Sequence, residues 1–167
     1  SGTKWNRINT SSRDNYVLVK SAADLPAPSG GVITLQSNTL YEINGTIAVT
    51  SKINLNNAWI TGRDAINDKL IYAAGSGELF TGAAGENIRH LTLCAPTPGT
   101  KVFNLNAAGA NLNFTVLNCY IGNSNNVGVI QNFGGVVYFQ TVAYLGNTNG
   151  VTFQNDSVVA LINTLWD

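Results

Sequence analysis

The chain has no methionine, one histidine, two cysteines and four prolines in 167 residues, and little charge. Lys, Arg, Asp and Glu together make up 11% of it, about half the usual share. Nine basic residues balance nine acidic ones. That balance excludes a duplex nucleic-acid binder, which needs surplus cations to displace phosphate counterions. One histidine and two cysteines offer no close ligand spacing, and no G-G-x-G-x-D calcium repeat is present, so no metal or cofactor is expected. No apolar run approaches the roughly 20 residues of a membrane span, so no membrane insertion is expected. No stretch keeps a 3.6-residue apolar period for three turns, which argues against long helices. No signal peptide is visible, and the Ser1-Gly2 start without methionine is expected of a trimmed chain.

Asparagine fills the place of charge, at about one residue in seven. Between the Asn-, Gly-, Ser- and Thr-rich stretches lie short β-branched or aromatic runs. They are ITL at Ile33, YEI at Tyr41, TIAV at Thr46, INL at Ile53, WIT at Trp59 and LIY at Leu70. These read as strands of three to six residues with polar turns. The chain also repeats itself. LNFTVLNCYIGN starts at Leu112, VVYFQTVAYLGN at Val136 and VVALINTLWD at Val158, so a similar run returns after a nearly constant interval. A coil of roughly 22–24 residues fits three short strands and three turns, stacked into parallel sheets around one core. The expected fold is all-β, a right-handed parallel β-helix over residues 31–167, with a non-repeating arm and cap over residues 1–30. A β-sandwich, the other reading of such strands, has no reason to repeat at this length.

Alignment of the two copies puts Tyr120 beside Tyr144 and makes Asn123 and Asn147 candidates for a stacked amide ladder. Cys94 then falls one position out of phase with Cys119. The two point to opposite faces and are expected as free thiols. His90 has no nucleophile beside it and reads as a ladder or surface residue. The arm carries Lys4, Arg7, Arg13 and Lys20 against Asp14 alone, and reads as a solvated tail.

The run VLVKSAADLPAPSGGVITLQSNTLYEINGTIAV resembles the opening of right-handed β-helices in phage tail spikes and tail fibres, through its D-L-P turn and G-V-I-T-L strand. FTVLNCYIGN is similar to the inner-rung pattern of the pectate-lyase-like β-helix superfamily. The resemblance covers most of residues 16–167, and its rung pattern is specific for fold rather than function. It implies an extracellular, virion-attached homotrimer that contacts other tail proteins and host-surface polysaccharide. A bacterial surface adhesin is the non-viral alternative.

Independently, the runs Val136-Val137-Tyr138-Phe139 and Val158-Val159 are apolar at consecutive positions, as in strands covered on both sides. Either identical neighbours or a local loop covers the outer side. Trp59 is expected to point outward, toward a subunit interface or a sugar face. Polysaccharide cleavage, by a lyase or a glycoside hydrolase, usually needs two carboxylates along a groove. Glu42, Asp64 and Glu86 follow one another at equal, rung-length intervals and form the enzyme alternative. The favoured reading is a non-enzymatic structural or receptor-binding segment.

Overall fold

The computed structural model describes residues 15–83 and 87–167; Lys4, Arg7, Arg13, Asp14 and Glu86 lie outside them. Among the described residues there are seventeen short strands, numbered in chain order, and one 3-10 turn at Ala22–Asp24. Every ladder between strands is parallel. The strands stack as a β-solenoid of about six turns, with equivalent residues about 23 apart.

Three faces run along the stack. Face I holds β1 (Tyr16–Val19), β3 (Leu40–Ile43), β6 (Trp59–Thr61), β9 (Asn87–Arg89) and β16 (Val158–Ile162). It also holds the first halves of β12 (Phe114–Gly122) and β14 (Val136–Leu145). Face II takes β4 (Thr46–Val49), β7 (Lys69–Tyr72), β10 (Thr92–Cys94), the second halves of β12 and β14, and β17 (Leu165–Trp166). Face III takes β2 (Val32–Thr34), β5 (Lys52–Asn54), β8 (Gly77–Gly82), β11 (Thr100–Asn106), β13 (Gly128–Gln131) and β15 (Val151–Gln154).

Alternation sends every second side chain inward. Ile60, Ile88, Val116 and Phe139 on face I, and Leu70, Leu93, Ile121 and Tyr144 on face II, form columns no more than 2% exposed. Face III adds Ile53, Phe80 and Phe103, with Phe80 and Phe103 stacked at 5.8 Å. Burial of each such side chain contributes about 1.5–3 kcal/mol, so rung-on-rung stacking holds the fold.

The turns explain the asparagine. Among the described residues, eight of the eleven non-glycine residues with positive φ are Asn, which tolerates the left-handed region better than most other side chains. Between faces I and II the bend falls at His90, Asn118, Thr141 and Asn163, with φ of 57°, 51°, 53° and 51°. Because one left-handed residue makes the corner, β12 and β14 pass through it unbroken. Side chains also bridge rungs at the turns. Asn132 Nδ2 donates to Asn106 Oδ1 at 3.0 Å, and Asn155 Nδ2 donates to Asn132 Oδ1 at 3.4 Å.

The non-repeating segment lays β1 against β3, Tyr16 beside Leu40, so one strand of the expected cap belongs to face I. Leu25 closes over the core at 7% exposure. The Asp24 carboxylate accepts the backbone N–H groups of Lys20 and Ser21, both at 2.9 Å, and these hold its pKa below the usual value.

The expected pairing of Tyr120 with Tyr144 is corrected. The true register is offset by one position from the motif alignment: Tyr120 lies beside Ala143, and Ile121 beside Tyr144. A one-residue shift moves a side chain to the opposite face, so Tyr120 looks out while Tyr144 is buried. Inward packing set the register, with Val116 over Phe139 and Ile121 over Tyr144, and the resemblance of the two Tyr-x-Gly-Asn motifs did not. Asn147 consequently does not stack on Asn123. Its amide accepts from Ser124 N at 3.0 Å and donates to the Ile121 carbonyl at 2.7 Å.

Candidate functional site on the outer faces

The outward columns differ from face to face. On face III one column reads Asn54, Thr81, Asn104, Val129, Thr152, largely uncharged and polar. On face I, Tyr16, Leu40 and Trp59 follow one another at the start of the stack. Thr115, Tyr138 and Ala160 follow in the later rungs, with Val136 beside Val158 and Gln140 beside Ile162. Trp59 is 37% exposed and points outward as alternation predicts; Val136 and Val158 are also exposed. Face I thus carries an aromatic and aliphatic outer surface in two patches, separated by Asn87 and Arg89.

Of the six residues expected at a subunit interface, Val137 and Phe139 are corrected to core positions, each 0% exposed within this chain. Consecutive apolar residues here mean inward Val137 and Phe139 alternating with outward Val136 and Tyr138. Val159 pairs with Val137 and so belongs to the inward column. It is exposed because it lies in the last rung of the stack. Val136, Tyr138 and Val158 remain on the outer surface.

The expected carboxylates are engaged by the chain itself. Glu42, on β3, is 8% exposed and lies 2.5 Å from Arg63 Nε through Oε1. Glu42 Oε2 accepts the Tyr16 hydroxyl at 2.9 Å, which ties β1 to the second rung. Burial and the neighbouring carboxylate raise the Tyr16 pKa. Asp64 lies in the exposed loop 62–68 between β6 and β7. Its Oδ1 accepts from Ile66 N at 2.8 Å and its Oδ2 from Asn67 Nδ2 at 2.5 Å, which keep its pKa low. Glu42 is thus held by Tyr16 and Arg63, and Asp64 by its own loop. Glu86, the third member, lies outside the described residues.

The carboxylate that sequence reasoning missed is Asp68. It is 8% exposed and accepts three backbone donors: Gly45 at 2.7 Å, Arg63 at 2.7 Å and Asp64 at 3.0 Å. Burial alone would raise its pKa, but the three N–H groups outweigh that and lower it. Asp68 closes the loop 62–68 and ties it to the preceding rung. Thr92 Oγ1, donating to the Ala65 carbonyl at 2.5 Å, pins the loop to the outer side of face II.

His90 occupies the corner column, its Nε2 3.2 Å from Asn118 Nδ2, in keeping with a ladder position. Cys94 and Cys119 are free, Cys94 half-buried on the outer side and Cys119 2% exposed in the core. Burial pushes the Cys119 thiol up to about 12.

The fold defines the class, a parallel β-solenoid. No family model matches the chain, and neither a curated protein nor a solved structure matches it.

Proposed function

We propose that the chain is a structural or receptor-binding segment of a phage tail spike or tail fibre, assembled as a homotrimer through the outer surface of face I. One observation carries the reading: face I presents Trp59, Val136, Tyr138, Val158 and Ile162 to the outside, while face III is mostly polar, with Asn54, Thr81, Asn104 and Thr152 around Val129 and the charged Lys52, Glu78 and Lys101 beside them. Apolar side chains in adjacent rungs form a surface that association would bury, and a rotational axis lets three copies bury the same patch. The virion assignment is supported by the D-L-P turn and G-V-I-T-L strand, which lie in the closing segment and in β2. Engagement of Glu42 by Arg63 and of Asp64 by its own loop favours binding over cleavage.

Sedimentation of the intact chain at micromolar concentration tests the reading. The expected mass is three times that of one chain, falling to one in the double substitution Trp59→Lys, Tyr138→Lys. Both side chains point outward, so the variant keeps the solenoid. A monomeric parent chain overturns the trimer.

A further inference from the structure

On the outer side of face II the column Lys69, Thr92, Tyr120, Ala143, Leu165 crosses five rungs. Its middle is low, because Ala143 and the neighbouring Gly122 and Gly146 contribute almost no side chain. Its flanks are high. On one side stands the loop 62–68, with Ile66 63% exposed at its tip; on the other stands Leu165 of the last rung, 58% exposed. The depression holds two adjoining hollows, one of about 570 Å³ bordered by Ile66, Lys69, Thr92 and Asn123. The other, of about 290 Å³, is bordered by Ala65, Asn118 and Thr141. Tyr120 lines both, and is the aromatic residue that divides them.

We propose that this groove binds a polysaccharide chain, with one pyranose ring packed against Tyr120. The assignment deepens the receptor-binding part of the function proposed above and rests on it. The loop pinned on Thr92 and the Leu165 side chain bound the low ground, three strand steps of about 4.8 Å or roughly 14 Å apart, room for a sugar ring over Tyr120 between them. A tyrosine offers a flat apolar face with a polar edge, matching the apolar face and hydroxyl rim of a pyranose. Around it stand the groups a sugar's hydroxyls bond: the amides of Asn118 and Asn123, the Thr141 hydroxyl and the Lys69 ammonium. A peptide strand fits less well. The main chain of β10, β12 and β14 is already paired on both sides here, so no edge is free to accept another strand. The overhang is built rather than incidental, since Asp68 and Thr92 fasten the loop that forms the wall.

The test uses the intact chain on a printed array of bacterial capsular and O-antigen polysaccharides, alongside Tyr120→Ala, Tyr120→Phe and Thr152→Ala. Retention of at least one polysaccharide is expected. Tyr120→Ala should weaken it by about tenfold or more, Tyr120→Phe should largely keep it, and Thr152→Ala, exposed on face III, should leave binding unchanged. Unchanged thermal melting of Tyr120→Ala separates lost binding from lost fold. The proposal is overturned if the array retains nothing, or if Tyr120→Ala binds like the parent chain. Sedimentation of the same samples keeps the two readings apart: a monomer that binds through Tyr120 removes the trimer and leaves the groove.

Discussion

The indole of Trp166 lies flat on the ring of Tyr144, 3.8 Å between centroids and 4° from parallel. It thereby covers the last fully buried member of the face II inward column, leaving Tyr144 2% exposed while Trp166 itself is 49% exposed. Trp166→Ala should lower stability by about 1–2 kcal/mol, since an aromatic pair contributes beyond its area and half the indole is already solvated. The urea midpoint measures this. Burial raises the Tyr144 pKa, so the same variant should let its phenol ionise at lower pH in an ultraviolet titration. An unmoved phenol titration would mean that the indole does not shield it.

Gly62 makes the closest approach in the loop beside the groove. A Cβ there would run into the His90 carbonyl and lie 2.8 Å from Asp68 Cβ. Gly62→Ala should therefore cost about 1–3 kcal/mol through overpacking. Gly75→Ala, where a Cβ meets nothing within 4 Å and φ is unremarkable, should be neutral or slightly stabilising. Chemical denaturation of the pair gives the contrast, and equal effects would contradict the loop geometry.

The Cys119 thiol ionises near 9 in an unfolded chain and near 12 in the folded one, because burial disfavours the thiolate. A pKa raised by folding adds stability that is fully present below pH 9 and is lost as pH climbs toward 12. Unfolding free energy should fall over that window in the parent chain. In Cys119→Ala it should start lower, from the small cavity, and fall less steeply. Parallel slopes in the two proteins would show that Cys119 is not the group responsible.

Changing Glu42, Asp64 and Glu86 together to Gln, Asn and Gln should leave the stack and its assembly intact, with at most a small loss from the Glu42–Arg63 ion pair. Amides keep the acceptor oxygen that Tyr16 and the loop 62–68 use, but cannot act as bases or nucleophiles. Incubation with host capsular polysaccharide should release no oligosaccharides from parent or variant. Cleavage by the parent that the triple change abolishes would establish the enzyme alternative.

The strands were legible because each obeys alternation. YEI, TIAV, WIT and LIY fall within β3, β4, β6 and β7, ITL and INL overrun β2 and β5 by one leucine each, and the outward direction of Trp59 follows from Ile60 alone. Register was less legible. The motifs containing Tyr120 and Tyr144 look equivalent, yet they sit one position apart in the stack, because Val116, Ile121, Phe139 and Tyr144 must all face inward. Unequal turns hid other columns: Ile88 and Val116 are rung neighbours although the chain between them is longer than an ordinary coil. Asp68 gave no local signal, since one of its partners, Gly45, lies in the preceding rung. Tyr120 was visible only as half of a repeat. What makes it a candidate contact is the low ground around it, which residues of three other rungs create.

Each rung of this stack bonds only to the rung before and the rung after it. Resistance to opening is therefore graded along the axis rather than shared equally. Amide hydrogens in β16 and β17, paired on one side, should exchange with solvent before those of β9 and β10 in the middle. A pull applied at Asp167 meets the rungs one after another, like a zip drawn from one end. The groove wall at Leu165 sits in the first rung to open, and Thr92 and Lys69 sit in rungs that open later.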